Sequence, residues 1–328
     1  MPRVLITGGA GFVGRHFTKM LLEDDYEVHV VDSLHPGSGA ITPISNWPLF
    51  NPLDFKNFYF HEMDCRNYFD QNQFIAFDLV IHLAAVVGGR LVIENNPLAV
   101  GEDLSIDSQF WKWVVNSKPG YIINFSSSAA YPIKFQTRVE WTYLSEEMID
   151  FKSEIGIPDL TYGWAKLTSE YLSRVGGQLH GMNIATYRPF SGYGEDQDLN
   201  YPFTALCERA LRSNSGEFKI WGSGQQLRDF VHIDDLVAGV LSTYESLNWS
   251  TPLNISSGVG TSFIQLAELI LTTLGKETMV VVPETSKPEG VFARVGSRKL
   301  QEDHGLSVPT HLRDGVLQTL KFLDSRRK

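Results

Sequence analysis

The segment TGGAGFVG at residues 7–14 constrains the fold of this chain more than any other stretch. It follows an apolar run at residues 4–6 that predicts a buried strand, and it precedes residues 15–23, whose apolar side chains fall on one helical face. Glycine tolerates the positive φ of a tight turn, and it lets the backbone approach a ligand closely. The N–H groups at the start of the helix then point at an anion, and the helix dipole favours its charge. The pattern predicts a phosphate-binding βα unit, with a ligand-free glycine turn as the alternative.

An acid at the end of the second predicted strand narrows the choice of ligand. This strand covers residues 27–32 and ends at Asp32, 18 residues beyond Gly14. A carboxylate there can accept hydrogen bonds from both hydroxyls of an adenosine ribose, and it repels a 2′-phosphate. No arginine follows Asp32 directly, so the pattern favours NAD(H) over NADP(H). A solvated acid at a strand end is the weaker interpretation.

The alternation of strands and helices predicts the fold class. Apolar runs predict four further strands, at residues 58–64, 77–85, 121–125 and 183–190. Such alternation is typical of an α/β protein with a Rossmann-type doubly wound parallel sheet and helices on both faces. We expect residues 1–190 to form an NAD-binding domain, to which residues 228–260 return. Residues 191–328 are expected to form a smaller α/β domain that binds the substrate.

Composition and charge exclude several classes of partner. The 328 residues carry a formal net charge of −10, which argues against general affinity for nucleic acid. No apolar run approaches the ~20 residues of a membrane-spanning helix. The two cysteines, Cys65 and Cys207, provide neither a disulfide framework nor a metal site. The first strand begins almost at once, so we expect no secretory signal and a cytoplasmic protein.

Three residues could form a proton-transfer site beside the nicotinamide. Tyr162 and Lys166 are four residues apart in a predicted helix, so their side chains lie on one face. A lysine ammonium beside a phenol favours the phenolate, which makes the tyrosine a usable proton acceptor or donor. The same lysine can hold the nicotinamide ribose. Ser127 follows the strand at residues 121–125, and its hydroxyl can bond the same substrate oxygen.

These motifs together resemble the extended short-chain dehydrogenase/reductase family, in the branch that acts on nucleotide-sugars. The resemblance covers nearly the whole chain. The matching residues are the turn at 7–14, Asp32, Asp64, residues 82–85, Ser127, Tyr131, Tyr162, Lys166, residues 228–235, residues 288–291 and Arg294. The resemblance implies NAD as cofactor, a nucleotide-diphosphate sugar as substrate, and Ser127, Tyr162 and Lys166 as the catalytic set.

The resemblance also implies which residues bind the two ligands. The cofactor set is Gly8, Gly11, Phe12, Val13, Gly14, Asp32, Ser33, Asp64, Cys65, Leu83, Ala84, Ala85, Tyr162, Lys166 and Pro189. The substrate set is Gly88, Ser127, Ser128, Asn200, Trp221, Arg228 and Arg294. In this set the two arginines would bind the diphosphate, and Asn200 and Trp221 would line the nucleotide pocket. An ion pair of Arg228 with Asp229 or Asp235 is the alternative interpretation.

The residues after Ser127 bear on the reaction. Residues 87–89 and 131–132 resemble the GDP-mannose 3,5-epimerase and GDP-fucose synthase branch, whose members place a catalytic cysteine where this chain has Ala129. Related dehydratases and a decarboxylase carry a glutamate at that position, and most dehydratases an aspartate before it, where this chain has Ser128. Such small residues resemble those of 4-epimerases. Ser191 replaces the asparagine that usually follows Arg-x-Phe, so the contacts to the sugar should differ.

The motifs therefore imply an NAD-dependent nucleotide-sugar epimerase, an isomerase of carbohydrate biosynthesis that oxidises C4 to a transient ketone and reduces it again. The nearest alternative is a nucleotide-sugar 4-ketoreductase or dehydrogenase with net turnover of the cofactor. A cofactor-binding regulator that lost the chemistry is a third, but Ser127, Tyr162 and Lys166 are all present. The aromatic helix at residues 103–116 suits a subunit interface, so we expect a homodimer. Residues 35–56 would cover the cofactor or meet a partner.

Overall fold

The computed structural model describes residues 1–86, 94, 96–214, 216–287, 289–306 and 309–327, and its largest feature is a seven-stranded parallel sheet. The strands are β1 (Arg3–Thr7), β2 (Glu27–Asp32), β3 (Phe58–Glu62), β4 (Leu79–His82), β5 (Tyr121–Phe125), β6 (Ile184–Pro189) and β10 (Leu253–Ile255). Their order is β10-β6-β5-β4-β1-β2-β3, and every neighbouring pair is parallel. The predicted Rossmann-type α/β fold is confirmed.

Helices cover both faces of this sheet, because its strands are apolar on both sides. In β1, Val4 and Ile6 pack in one core cluster with Phe17, whereas Leu5 packs in another with Phe110. Successive side chains of a strand point to opposite faces, which explains this alternation. The helices that follow the strands are α1 (Phe12–Glu23), α2 (Cys65–Gln71), α3 (Pro97–Val100), α4 (Glu102–Ser117), α5 (Leu160–His180) and α7 (Ile233–Thr243).

The remaining elements build a second core around smaller sheets. The strands are β7 (Ser191–Tyr193), β8 (Glu217–Trp221), β9 (Leu227–His232), β11 (Gly260–Ser262), β12 (Val280–Glu284) and β13 (Ala293–Arg294). The remaining helices are α6 (Pro202–Arg212), α8 (Phe263–Thr273), α9 (Lys299–Asp303) and α10 (Leu312–Ser325). Of these, α9 packs through Leu300 on the core of the large sheet. Strand β9 pairs with β7, β11 and β13, and β8 pairs with β12. The apolar side chains of α6, α8 and β8 pack together here, among them Phe203, Ile270 and Ile220.

The predicted boundaries differ from the structure in a few places. The strand expected at residues 58–64 ends at Glu62, and Asp64 instead caps α2, so its assignment to the strand was wrong. The strand expected at 77–85 covers only Leu79–His82. Residues 253–255 form β10 beside β6 in the large sheet. The division into domains at residue 190 stays a prediction. None of the helices in the described ranges is long and apolar enough to cross a membrane.

The irregular segment between β2 and β3 packs on the edge of the sheet. Trp47 is 3% exposed, and its ring lies 5.4 Å from that of Phe50 and 5.7 Å from that of Phe58. The Ile41 N–H donates to the carbonyl of Ala10 in the glycine turn at 3.0 Å. This segment therefore supports the glycine turn from outside, and the two roles left open by the sequence stay predictions.

A fully buried arginine joins α5 to the sheet. Arg188 of β6 is 0% exposed, and its Nε and Nη2 donate to the two carboxylate oxygens of Glu170 at 2.8 and 2.7 Å. Its Nη1 donates to the hydroxyl of Tyr131 at 3.1 Å, and that hydroxyl donates to Asn254 at 2.7 Å. Ser126, directly after β5, donates a short hydrogen bond to Glu170. One ion pair thus connects β5, β6, β10 and α5.

Removing Glu170 should destabilise the protein strongly, because the buried guanidinium of Arg188 would lose its counter-charge. We expect Glu170→Ala to lower the free energy of unfolding by about 3–5 kcal/mol in chemical denaturation. Glu27→Ala is the matched control. Glu27 pairs with Arg3 at 2.9 Å, but the two side chains are 30% and 40% exposed. Its loss should be about 0–1 kcal/mol. Equal losses in the two variants would contradict the structural role of the buried pair.

Candidate active site

The glycine turn lies between β1 and α1 and leaves no room for side chains. Gly8 has a φ of +71°, and a Cβ there would lie 2.8 Å from the backbone nitrogen of Ala84. A Cβ on Gly14 would lie 2.4 Å from the Cα of Gly9, so α1 approaches the turn closely only with glycine at this position. Gly11 is the N-cap of α1, and the first turn of this helix has no acidic residue. The helix start therefore suits an anion.

Asp32 ends β2 beside this turn, and the backbone orients its carboxylate. Oδ2 accepts a hydrogen bond from the Ala10 N–H at 3.0 Å, and Oδ1 accepts one from the Leu34 N–H at 2.9 Å. Burial raises the pKa of Asp32, while these backbone donors and the charge of Arg15 oppose the rise. Asp32 as a whole residue is 9% exposed.

The other predicted cofactor residues near the strand ends differ in exposure. Phe12, Val13, Leu83, Ala84, Ala85 and Pro189 are half-buried, and Ser33 is exposed. The Leu83 N–H donates to the carbonyl of Thr7 at 3.0 Å, which holds the segment after β4 next to the glycine turn. These residues therefore follow the carboxyl ends of β1, β2, β4 and β6, the edge at which α/β sheets bind ligands.

Asp64 and Cys65 stand at the start of α2 and are already engaged by the protein. The Asp64 carboxylate accepts hydrogen bonds from the Arg66 N–H at 2.9 Å and from the Arg66 Nη2 at 2.6 Å. This arginine lowers the pKa of Asp64. Burial raises the pKa of the Cys65 thiol to about 12, so the thiol is a neutral packed group. Contact of these two residues with adenine stays a prediction.

Ser127 follows β5 and caps the 3₁₀ turn Ser128–Ala130. Its Oγ accepts the Ala129 N–H at 3.1 Å, so its own hydroxyl proton is left for another acceptor. Ser127 is half-buried, whereas the preceding Ser126 is 2% exposed and bonded to Glu170. The network behind the sheet therefore anchors Ser126 and leaves Ser127 at the open edge.

Tyr162 and Lys166 lie one turn apart near the start of α5. Tyr162 is half-buried, Lys166 is 6% exposed, and the Lys166 Nζ lies 5.7 Å from the centroid of the Tyr162 ring. Burial acts to lower the pKa of Lys166, but its interactions with Tyr162, Asp107 and Asp103 outweigh burial and raise it. The ammonium therefore keeps its charge next to the phenol.

A close contact brings the start of α5 against the turn that carries Ser127. The Asp159 N–H donates to the Ala129 carbonyl at 3.0 Å, and a Cβ on Gly163 would lie only 2.4 Å from the same oxygen. Gly163 thus permits the approach of Tyr162 to this turn. Sequence reasoning missed Gly163 and Asp159. A glycine in the first turns of a helix, which is unfavourable for helix stability, was the available signal.

The two predicted diphosphate ligands are neighbours in the second sheet. Arg228 in β9 and Arg294 in β13 are register partners on parallel strands, so their side chains leave the same face. Arg294 donates to Gln136 at 2.8 Å and forms a salt bridge of 2.6 Å with Asp159. The Arg228 Nη2 donates to the Glu289 carbonyl at 3.1 Å. Asp159 precedes α5, the helix of Tyr162 and Lys166, so Arg294 lies at the start of that helix.

The acids considered as alternative partners of Arg228 are engaged elsewhere. Asp229 is fully buried and accepts hydrogen bonds from Ser257 and from the Gly296 N–H. Asp235 accepts the Thr310 N–H at 2.6 Å. The donors Ser257, Gly296 and Thr310 therefore orient the two carboxylates that the alternative interpretation pairs with Arg228.

Two further residues predicted to bind the substrate, Asn200 and Trp221, are exposed. Asn200 is exposed, and Trp221 is 42% exposed with the Lys287 ammonium 5.6 Å from its ring centroid. No hydrogen bond between Asn200 and Trp221 is present in the described part of the chain. Gly88 and Pro288 lie outside the described residues.

Comparison with known proteins identifies the family. The sequence model of the NAD dependent epimerase/dehydratase family matches residues 4–255, which is most of the chain. The protein belongs to this family. Curated relatives include a putative UDP-glucose 4-epimerase of Methanocaldococcus jannaschii, 26% identical over 99% of both chains. A dTDP-4-dehydro-6-deoxy-D-allose reductase of a Streptomyces species is 25% identical over 97% of this chain and 95% of its own.

Solved structures of similar fold cover the same length. The UDP-glucose 4-epimerase of Thermotoga maritima with UDP-glucose has a TM-score of 0.81 and 23% identity, and it covers 99% of this chain and 100% of its own. The UDP-glucose 4-epimerase of Thermus thermophilus in complex with NAD has a TM-score of 0.80 and 21% identity, with 98% and 99% covered. At these identities the structures establish a shared fold.

The NAD dependent epimerase/dehydratase family uses NAD, and the turn of this chain fits that cofactor. Any side chain at Gly8 or Gly14 would collide with backbone, so the tight turn requires glycine at both positions. The helix start offers N–H groups to the pyrophosphate, and Asp32 offers a carboxylate to the adenosine ribose. The described residues contain no group of three or more side chains suited to a metal ion.

Substitution of Gly14 should weaken NAD binding, because an added methyl group would push α1 away from the turn. We expect Gly14→Ala to raise the Kd for NAD by at least about tenfold, or 1.4 kcal/mol, in calorimetric titration of the nucleotide-stripped protein. Gly239→Ala in α7 is the control, because a Cβ there meets only side-chain atoms, 3.7 Å or more away. Unchanged affinity in a folded Gly14→Ala protein would contradict this placement of the pyrophosphate.

Proposed function

We propose that this protein is an NAD-dependent nucleotide-sugar 4-epimerase. The observation that carries the proposal is the pair Ser128 and Ala129, which are 5% and 4% exposed, beside the set Ser127, Tyr162 and Lys166. This set can exchange a proton with a sugar hydroxyl. The two small residues offer no thiol or carboxyl that could act on the neighbouring carbons. The chemistry is therefore restricted to the carbon that bears the hydroxyl.

In the proposed mechanism the chain moves one proton. The Tyr162 phenolate accepts the proton of the sugar O4 hydroxyl, and the Ser127 hydroxyl donates a hydrogen bond to the same oxygen. The Lys166 ammonium stabilises the phenolate and binds the nicotinamide ribose. NAD, when bound, would supply the hydride acceptor for the oxidation at C4 and the hydride donor for the re-reduction. After the 4-keto sugar has turned its other face towards the nicotinamide, Tyr162 returns the proton to O4. The net reaction is an isomerisation, in which atoms and electrons balance.

The substrate is proposed to be held by its diphosphate. The chain is acidic overall, with a net charge of −10, so an anionic ligand needs local cations. Arg228 and Arg294 are register partners and provide two guanidinium groups on one face. A guanidinium suits phosphate because it offers several donors in a fixed fork. Asn200 and Trp221 are proposed to contact the nucleotide.

A reductase is the second candidate. The Streptomyces relative at 25% identity is a dTDP-4-dehydro-6-deoxy-D-allose reductase, and the same Ser127, Tyr162 and Lys166 could protonate the oxygen of a ketone. The two functions differ in net cofactor turnover. A reductase consumes reduced cofactor in proportion to product, whereas an epimerase leaves its concentration unchanged.

The purified protein should interconvert the C4 epimers of one member of a panel of UDP-, GDP-, CDP- and dTDP-sugars, with products identified by NMR. We expect Tyr162→Phe to reduce this activity by about 10²–10⁴-fold, because the proton acceptor is lost. Tyr59→Phe, at a 45% exposed tyrosine of β3, should leave it unchanged. Full activity of Tyr162→Phe would rule out the assigned mechanism, and stoichiometric consumption of reduced cofactor would favour the reductase.

The protein is further proposed to work as a cytoplasmic homodimer. Leu160, Trp164 and Tyr171 lie along one side of α5 and are 41%, 49% and 52% exposed, and Leu104 of the adjacent α4 is 44% exposed. Such an apolar face on two packed helices suits a second copy of the chain. The carboxyl edge of the sheet remains available to ligands in this arrangement.

Sedimentation equilibrium should give twice the chain mass of 36.9 kDa for the wild-type protein. The double variant Leu104→Glu/Tyr171→Glu should shift the equilibrium to the monomer, because charges would have to be buried in the interface. Val139→Glu, at an 89% exposed position away from these helices, is the control. A wild-type protein that is monomeric at all concentrations would contradict the proposed dimer.

A further inference from the structure

Two buried carboxyl groups next to the catalytic helix have no role in the mechanism described so far. Asp103 and Asp107 lie one turn apart on α4 and are 1% and 3% exposed. The Asp103 Oδ1 accepts the Val86 N–H at 2.5 Å, and the Asp107 Oδ1 is 3.1 Å from the Nε2 of His82. The second oxygen of each carboxyl has no hydrogen-bond partner among the described residues. Unsatisfied buried oxygens of this kind are unusual in proteins.

Asp107 and Asp103 differ in the groups that donate hydrogen bonds to them. The Thr7 hydroxyl lies 2.7 Å from the His82 Nδ1 and also accepts the Ala84 N–H at 3.3 Å. Burial lowers the pKa of His82, so the ring is neutral. A neutral ring that accepts the Thr7 hydroxyl proton at Nδ1 must carry its own proton on Nε2 and donate it to Asp107. Asp107 therefore has a side-chain donor, whereas Asp103 has one backbone donor.

Among the described residues, the cation that interacts with these two acids is Lys166. Helix α5 contributes the Lys166 ammonium, which makes no hydrogen bond or salt bridge with any residue that the structure describes, and β4 contributes the neutral His82. On α4 itself, Glu102 forms a salt bridge with Arg66. Two carboxylates with one ammonium would leave an excess negative charge in a buried site, which is unfavourable. Burial raises the pKa of Asp103 to about 6, so this carboxyl takes up a proton at a higher pH than an ordinary aspartate does.

We propose that Asp103 is a positioning residue of the active site, whose carboxyl acts through Lys166 on the readiness of the Tyr162 phenol to release its proton. This inference rests on the proposed catalytic set. When Asp103 is ionised, its charge stabilises the Lys166 ammonium and disfavours a second anion at Tyr162. When Asp103 is protonated, the ammonium acts on Tyr162 with less opposition. Asp103→Asn fixes the neutral state and keeps an oxygen for the Val86 N–H.

The test follows the ionisation of Tyr162 directly and needs no substrate. The near-ultraviolet tyrosinate absorbance of the NAD-saturated protein is titrated with pH, and the same titration of Tyr162→Phe is subtracted to isolate Tyr162. The subtraction is repeated in the Asp103→Asn background. We expect the midpoint assigned to Tyr162 to fall by about one pH unit in Asp103→Asn, as for the loss of one nearby charge. A purely structural role of Asp103 would not move this midpoint.

Asp70→Asn is the matched control, because it removes the same charge at an exposed position of α2 and should leave the midpoint unchanged. If Asp103→Asn does not fold, Asp107→Asn provides the second variant. It removes a charge from the same cluster while keeping an acceptor for His82, so the midpoint should fall in the same direction. Superimposable titrations of wild type and a folded cluster variant would overturn the proposal. If the protein converts no sugar of the panel but the Tyr162 midpoint still shifts, only the proposed reaction is overturned.

Thermal stability offers an independent measurement of the buried charge. The pKa of Asp103 is higher in the folded protein than the ordinary value of an aspartate. At a pH between these two pKa values, the folded state therefore binds more protons than the unfolded state. The stability that this proton provides is lost as pH rises through about 6. Asparagine does not ionise and escapes this loss. The Tm of Asp103→Asn relative to wild type should therefore be higher at about pH 8 than at about pH 4.5. A Tm difference that is the same at both values would contradict the buried titration.

Discussion

The buried ion pair between Arg188 and Glu170 is the constraint on which the geometry of the active site depends. Arg188 is 0% exposed, and its donors are matched by the Glu170 carboxylate, the Tyr131 hydroxyl and a backbone carbonyl. The pair sets the position of α5 along the sheet, because Glu170 also accepts the hydroxyl of Ser126. Lys166 lies one helical turn before Glu170, so the same register fixes its position relative to β5, the strand that Ser127 follows. A shift of α5 by one residue would break these bonds together.

A second buried ion pair connects the cofactor turn to the substrate side. Arg15 and Asp196 are joined at 2.7 Å, with side-chain exposures of 2% and 1%. Arg15 also donates to the carbonyls of Ala10, in the glycine turn, and of Gly39, in the segment between β2 and β3. Asp196 follows β7 and accepts a further contact from His16 at 2.8 Å. The glycine turn is therefore held from outside by groups distant in sequence, and its rigidity does not depend on glycine content alone.

Local patterns were sufficient to predict the parallel sheet, because its strands are short apolar runs separated by helical periodicity. The same patterns located Ser127, Tyr162 and Lys166 at a strand end and on one helix face. The contacts of Arg294 with Gln136 and Asp159 were beyond such reasoning, since 158 and 135 residues separate the partners. The extension of the predicted strand to residue 64 failed because Asp64 prefers to cap a helix. Long-range pairing of polar side chains leaves no periodic signal in a sequence.

The proposed substrate site places two like charges on neighbouring strands. Arg228 and Arg294 are register partners on adjacent strands, and two guanidinium groups at that spacing repel each other. Asp159 offsets one of them at 2.6 Å, and it does so from the residue that precedes α5. A diphosphate carries charge for both arginines, so its binding relieves the repulsion and competes with Asp159 for Arg294. In the proposed function, the arginine that contacts the diphosphate is thereby coupled to the start of the helix that bears Tyr162. Binding of the nucleotide would then be linked to the orientation of the proposed proton acceptor.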